Sequence, residues 1–371
     1  MIKFIDFTRR QKKYRKEIEK AIFKPLEKGW FILGPELENF ERKFSTYLGD
    51  GEVVGVNSGT DALFLALKAL GIGLGDEVVT VANTATPTIT AIRLVGAKPI
   101  FVDVDERSLL MDTSLIEEKI TKKTKIILPV HLFGRPVLMD RIMKIAQKYN
   151  LKVVEDCAQA TGANYCGRTV GFWGDVSCFS FYPTKNLGAL GDGGAIVTKN
   201  KKLARICRQL RNYGEASKFN NVLEGCNSRL DEIQAAFLSW GLDYLTVWNK
   251  TRKKLARLYQ KELKGSPLIL PEQEGQDYSG SWHLFVVRSK ERDRLAEFLS
   301  QKGVATAIHY PRPITSQPVY KFLKIGKKDL PITYQASREI LSLPLYPELT
   351  TKEVKSICSH IKNFYATKRK I

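Results

Sequence analysis

Residues 176–198 read VSCFSFYPTKNLGALGDGGAIVT, and this stretch decides the fold. A β-rich run, Val176–Phe181, ends in a Pro turn that presents a single lysine, Lys185. Gly188, Gly191, Gly193 and Gly194 follow, and glycines at this density let a backbone pass close to a flat ligand. A second run, Gly194–Thr198, resumes the β pattern. Most lysines are solvated, but one flanked by a hydroxyl, an aromatic, a Pro turn and these glycines is placed for Schiff-base chemistry with a carbonyl or with pyridoxal phosphate.

Working outward, five more short runs precede this pair: Glu52–Val56, Glu77–Val81, Pro99–Val102, Lys125–Val130 and Leu151–Glu155. Several are apolar on both faces, as strands of a covered sheet are. Helical patterns such as Asp61–Leu70 and Leu138–Tyr149 separate most of them. The alternation predicts an α/β domain with crossover helices around a parallel or mixed sheet. A long helical pattern from Arg229 to about Leu263 leads into a smaller α+β unit. That unit has a strand at Trp282–Val287, a helix at Glu291–Lys302, a Pro-rich loop at His309–Pro318 and a last helix at Thr351–Tyr365. The expected division is 1–249, with an N-terminal segment, and 250–371.

The ligand edge of such a sheet lies at the C-terminal ends of its strands. Asn57-Ser58-Gly59-Thr60 sits between a strand and a helix, where free amides and the helix dipole attract phosphate and Thr60 is placed to cap the helix. Val153–Ala160 delivers Asp156 at the end of an apolar strand, 29 residues before Lys185. A phosphate cradle, an acid for a ring nitrogen and a Schiff-base lysine together match pyridoxal phosphate chemistry. Asn227-Ser228-Arg229, read as the opening of the long helix, is a candidate second anion site.

These strings resemble the DegT/DnrJ/StrS-type nucleotide-sugar aminotransferases of pyridoxal phosphate fold type I, which implies an α/β large domain with a mixed seven-stranded sheet and a smaller C-terminal α+β domain. The resemblance runs through NSGTDAL, VVEDCAQATGA, SFYPTKNLGALGDGGAIVT and GCNSRLDEIQAA. It implies that Lys185 binds the cofactor and shuttles the proton. Asp156 pairs with the pyridine nitrogen and Gln159 contacts the phenolic oxygen or ring face. Ser58, Gly59, Thr60 and Ser180 hold the phosphate. Asn227 reaches the phosphate of the neighbouring subunit, which implies a homodimer with shared sites. Family dehydratases carry histidine in place of the lysine, so Lys185 implies a transaminase.

Asn83–Thr88, Arg211–Gly214 and His309–Pro311 look like the subgroup that aminates C3 of dTDP-3-keto-6-deoxyhexoses from L-glutamate. By that likeness Tyr182, His309, Tyr310 and Arg229 contact the nucleotide-sugar, and Lys218 reaches it from the neighbouring subunit. A 4-aminotransferase on a UDP- or dTDP-4-keto-6-deoxyhexose is the alternative. Two departures stand out: residues 82–98 contain no aromatic to cover the cofactor ring, and Thr315 stands where relatives often have His.

The 371 residues carry 59 Lys+Arg against 39 Asp+Glu, a formal net charge of +20. A basic nucleic-acid-binding protein is the rival from another class. The basic clusters at Lys119–Lys125, Lys199–Arg211, Lys250–Lys264 and Lys368–Lys370 fall on helix faces or termini, without a zinc-finger, RRM or helix-turn-helix signature. The six cysteines form no C-x-x-C pair, and no His lies three or four residues from another His or a Cys, so a zinc site is not expected. Without a signal peptide or an apolar run of membrane length, a cytoplasmic protein with no integral membrane association is expected.

Overall fold

The computed structural model describes residues 1–368. All seven predicted runs join one sheet: β1 (Glu52–Val56), β2 (Glu77–Val81), β3 (Lys98–Val102), β4 (Thr124–Ile127), β5 (Lys152–Asp156), β6 (Val176–Ser180) and β7 (Gly194–Thr198). Their order is β1-β7-β6-β5-β4-β2-β3. β7 runs antiparallel to both its neighbours and the other pairs are parallel, so the sheet is mixed as expected. β2, β6 and β7 are buried along their whole length because helices cover both faces.

The helices are α1 (Phe7–Lys13), α2 (Arg15–Lys28), α3 (Pro35–Leu48), α4 (Gly59–Ala69), α5 (Thr86–Leu94), α6 (Met139–Lys148), α7 (Lys201–Leu210), α8 (Glu232–Glu262), α9 (Arg292–Gln301), α10 (Pro331–Glu339) and α11 (Thr351–Lys368). The N-terminal segment, left without elements by the sequence pattern, supplies the first three. α3 shows why it forms. Pro35 opens it, Glu36 and Glu38 sit in its first turn, and Leu37, Phe40, Phe44 and Leu48 share its buried face. Gly49, at φ 111°, ends it in a conformation that favours glycine. Phe40 and Phe44 then meet Phe181 edge-on, at ring separations of 5.3 and 5.4 Å.

The N-terminus of α3 has no cap of its own. The Glu232 carboxylate, from the start of α8, accepts from the amides of Gly34 (2.9 Å), Glu36 (2.8 Å) and Leu37 (3.0 Å). This side chain is buried, so its removal strands three donors away from water. Glu232→Ala is expected to lower stability by about 2–3 kcal/mol, read as a fall in the denaturant midpoint. Glu232→Gln, with one acceptor oxygen, should recover part of it. An unchanged midpoint in both variants would refute the capping role.

α8 spans 31 residues, about 45 Å at helical rise. Its first half packs Ala235, Leu238, Leu242 and Leu245 with the α3 aromatics. Its second half packs Leu255, Ala256 and Tyr259 in a separate core with α9, α11 and a two-stranded ladder, β8 (Phe285–Arg288) against β9 (Ile340–Leu343). The 249/250 division therefore falls inside one continuous helix. The extreme N-terminus also crosses it: Ile2 bridges Val304, and Arg9 and Arg10 pair with Glu353 and Glu348. Asp103, just beyond β3, accepts from the Ile332 and Thr333 amides and so caps α10 from the large sheet. Of the C-terminal basic cluster, residues 369 and 370 lie outside the described residues. No helix among the described residues is long and apolar enough to cross a membrane.

Candidate active site

The ends of β1, β2, β4, β5 and β6 open on one edge of the sheet, where a cavity lies. Of the residues anticipated from the sequence, Ser58, Gly59, Thr60, Asp156, Gln159, Ser180, Tyr182 and Lys185 all line it. The chain delivers them from positions up to 127 residues apart because parallel strands end at the same edge.

At one end stands the N-terminus of α4. Ser58, and not Thr60, is the cap: its hydroxyl accepts from the Asp61 amide at 3.1 Å. Gly59 and Thr60 are therefore the first helical residues. Their amides have no protein partner among the described residues, which leaves them for an anion. The approach is close: a Cβ on Gly59 would meet Ser180 Cβ at 2.6 Å, and one on Gly194 would meet the Ser58 carbonyl oxygen at 2.4 Å.

Asp156 is buried near the opposite wall. Its Oδ1 accepts from the Ala158 amide at 3.1 Å, and its Oδ2 from the Thr88 hydroxyl at 2.9 Å. Burial raises its pKa, against the lowering influence of those two donors and of the Lys185 and His131 charges. Lys185 is half-buried and lines the cavity. Burial pulls its ammonium down to about 8, with the Asp156 carboxylate pulling it back up. Each group thus favours the charged form of the other, against the burial of both.

That value has a kinetic consequence. Below pH 8 Lys185 is mostly an ammonium and has no lone pair for a carbonyl; above pH 8 it is mostly the free amine. The rate at which cofactor-free protein captures pyridoxal phosphate covalently is expected to rise about tenfold per pH unit up to roughly pH 8 and then level off. Stopped-flow absorbance across pH 6–10 checks this, and a rise continuing beyond pH 10 would contradict it.

Gln159 is fixed on both sides. Its Oε1 accepts from the Phe133 amide at 2.8 Å, and its Nε2 donates to the Tyr310 hydroxyl at 3.1 Å. Tyr310 is thereby joined to the cavity wall, and burial pushes its phenol up to about 12. His309 is turned elsewhere: its Nδ1 bonds Ser342 Oγ at 2.9 Å and its ring stacks on Phe4. Burial and the Lys185 charge hold His309 down at about 4, hence neutral.

Five anticipated residues do not line this cavity: His309, Tyr310, Asn227, Arg229 and Lys218. Asn227 is exposed and its backbone bridges Asn212. Arg229 donates to Asn212 Oδ1 at 3.1 Å and lies over the Tyr213 ring. Lys218 projects from a short hairpin, over Phe219. Asn227 and Arg229 do not open the long helix, which begins at Glu232, and the Glu232 amide is already bonded to the Phe31 carbonyl. The first amide of that helix is thus satisfied by the protein's own backbone.

The sequence reading missed several groups. Thr88 and Thr84 form a hydroxyl pair behind Asp156. His283, beside the lysine's neighbour Asn186, places Nδ1 3.1 Å from Asn186 Oδ1. Burial keeps His283 well below the usual histidine range. Beneath Asp156, Glu155 accepts from the amides of Gly171, Trp173 and Gly174 and faces His131 Nε2 at 3.1 Å. With Cys157 this pair forms a close His/Glu/Cys group. Its carboxylate and imidazole are already committed to hydrogen bonds, including one to His131 Nδ1 from the Val137 amide.

A lysine of lowered basicity facing a carboxylate, across from unpaired helix amides on a mixed sheet of this order, defines a pyridoxal phosphate enzyme of fold type I. The chain belongs to the DegT/DnrJ/EryC1/StrS aminotransferase family, which it matches over residues 12–362. It is 46% identical over 364 residues to the dTDP-3-amino-3,6-dideoxy-alpha-D-galactopyranose transaminase of Aneurinibacillus thermoaerophilus, covering 98% of this chain and 99% of that one. The crystal structure of DesV from S. venezuelae in complex with a ketimine intermediate superposes with a TM-score of 0.95, at 42% identity and 97% coverage of both chains. NtdA from Bacillus subtilis, with bound cofactor PMP, gives 0.87 at 35% identity, covering 95% of this chain and 82% of that one. The protein is an aminotransferase and its cofactor is pyridoxal phosphate.

The cavity fits that cofactor by its own chemistry. Free amides and hydroxyls at one end suit a phosphate, a buried carboxylate suits a protonated ring nitrogen, and a lysine stands between.

Proposed function

We propose that this protein transfers the amino group of L-glutamate to C3 of a dTDP-3-keto-6-deoxyhexose, giving a dTDP-3-amino-3,6-dideoxyhexose. The observation that carries this reading is the 46% identity, over nearly the whole of both chains, to a transaminase whose name specifies that nucleotide and that carbon. The lysine supports it too, since Lys185 is the group that moves protons in transamination.

When bound, pyridoxal phosphate supplies an electron sink and carries the amino group between two half-reactions. Asp156 keeps a proton on the ring nitrogen. The Gly59 and Thr60 amides, with the Ser58, Thr60 and Ser180 hydroxyls, hold the phosphate. Gln159, pinned by Phe133 and Tyr310, presents its amide to the phenolic side. With the cofactor bound, the Lys185 amine would accept the proton lost from the Cα of glutamate and give it to the carbon that takes up the amino group. Tyr182, Tyr310, His309, Lys218 and Arg229 are assigned to the nucleotide-sugar.

Asn227 reaches the phosphate held by a second copy of the chain, in a homodimer with shared sites. Its surroundings support this: Tyr213, Phe219, Val222 and Leu223 are all exposed apolar side chains, with Phe219 84% exposed. Residues 1–249 form the cofactor-binding unit and 250–371 the smaller one, in keeping with the separate core around the second half of α8. A cytoplasmic location accords with six unpaired cysteines.

The test incubates purified protein with L-glutamate and dTDP- or UDP-linked 3-keto- and 4-keto-6-deoxyhexoses, and locates the new amine by NMR. Amination at C3 of the dTDP sugar is expected. An amine at C4, or a preference for UDP sugars, would overturn the assignment. Sedimentation as a single 42.0 kDa chain would overturn the shared site.

A further inference from the structure

Thr84, just before α5, and Thr88, its third residue, are both buried and both line the cavity wall beside Asp156. The Thr88 hydroxyl lies 2.9 Å from Asp156 Oδ2, and the Thr84 hydroxyl lies 2.8 Å from that of Thr88. An ionised carboxylate only accepts, so Thr88 must donate to it. The Thr88 oxygen is then the acceptor for the Thr84 O–H. Both hydroxyls are therefore aligned in one direction, toward the carboxylate.

We propose that Thr88, backed by Thr84, is a positioning residue that fixes the plane and the ionised state of Asp156. The proposal rests on the cofactor role given to Asp156 above. The Ala158 amide alone would hold one oxygen and leave the carboxylate free to turn about its Cβ–Cγ bond. Thr88 holds the other oxygen, so both ends are tied and the remaining lone pairs point in a set direction. The charged and titratable groups around Asp156 are Lys185 beyond β6, His131 beyond β4, Cys178 on β6, Tyr310 from the C-terminal unit and its own neighbours Glu155 and Cys157. Among these, Thr88 contributes a neutral donor that favours the carboxylate without adding charge to the cavity. This also gives residues 82–98, which carry no aromatic, a function as the wall that supports the acid.

Thr88→Val keeps the shape and deletes the hydroxyl; Thr88→Ser keeps the hydroxyl and deletes a methyl. Three measurements separate positioning from packing: cofactor Kd by equilibrium dialysis of cofactor-free protein, kcat and KM for glutamate in the half-reaction, and the acid limb of the kcat–pH profile. Thr88→Val is expected to weaken cofactor binding and lower kcat by about 10- to 100-fold each, with KM changed less than about threefold. Its acid limb should move to higher pH, because losing a donor to the charged form raises the pKa of Asp156. Thr88→Ser should stay within about threefold of wild type, and Thr84→Val should show a smaller loss in the same direction.

Unchanged kcat and Kd in Thr88→Val, or equal losses in the Val and Ser variants, would overturn the proposal. Should Thr88→Val fail to fold, Thr84→Val and Thr88→Ser decide it by the same readouts. If wild-type protein does not react with glutamate, the aminotransferase reading of the donor fails separately, and the cofactor Kd series still decides the role of Thr88.

Discussion

Lys185→Ala is expected to lower transamination by about 10⁴-fold or more while leaving the fold intact. Two separate losses combine: the covalent attachment to the cofactor and the proton carrier between donor and acceptor atoms. The stability effect should have the opposite sign. The folded-state pKa of about 8 lies below the free-lysine value of 10.5, so the buried ammonium is disfavoured at neutral pH. That penalty is fully present below pH 8 and fades as pH rises toward 10.5. Removing the amine relieves it, so at pH 7 the variant should melt no lower than wild type. Treating each protein with pyridoxal phosphate and borohydride, then weighing it by mass spectrometry, should show an adduct in wild type only. Turnover within tenfold of wild type would remove Lys185 from the mechanism.

Asp156→Asn carries the second large effect, a loss of about 10³-fold in the glutamate half-reaction. The substitution is nearly isosteric: its oxygen still accepts from the Ala158 amide, while its NH2 faces the Thr88 hydroxyl, which can turn to accept, so the main change is in charge. A neutral amide cannot stabilise a proton on the ring nitrogen as a carboxylate does. A second signature follows from the coupling with Lys185. The carboxylate raises the lysine pKa, so without it the lysine pKa should fall further below 8. The pH dependence of covalent cofactor capture should then shift to lower pH. A large rate loss with no such shift would mean that Asp156 and Lys185 do not interact through charge.

The sheet was legible because its signal is local. Runs such as Glu77–Val81 and Val176–Ser180 are apolar on both faces and are bounded by turn residues, so they announce buried strands without knowledge of their neighbours. Lys185 and Asp156 were legible for the same reason, each standing at the end of such a run. What stayed hidden depends on pairs far apart in sequence. Glu232 caps a helix nearly 200 residues upstream, and it reads locally as one more acid at a helix start. Thr88 meets Asp156 across 68 residues, and a threonine in a Thr-rich string announces no partner. The cap at Ser58 was misassigned to Thr60 because both are good capping residues and only the helix start separates them. The charge of +20 says least about the site. The cavity is built from one lysine, two acids and neutral hydroxyls and amides.

The unbroken course of α8 through both cores constrains how the two units can move. A hinge at 249/250 would have to break helical hydrogen bonds in the middle of a helix, and Arg252 there is bonded to the carbonyls of His283 and Leu345. The helix instead runs unbroken for about 45 Å. A tilt of about 5° at its far end moves that end by roughly 4 Å at this helical rise. The C-terminal unit carries Tyr310, which touches Gln159, so such a tilt would be felt at the cavity wall. Opening two halves like a clamshell at 249/250 would therefore break α8, whereas a small tilt of the intact helix would reach the site through the Tyr310–Gln159 contact.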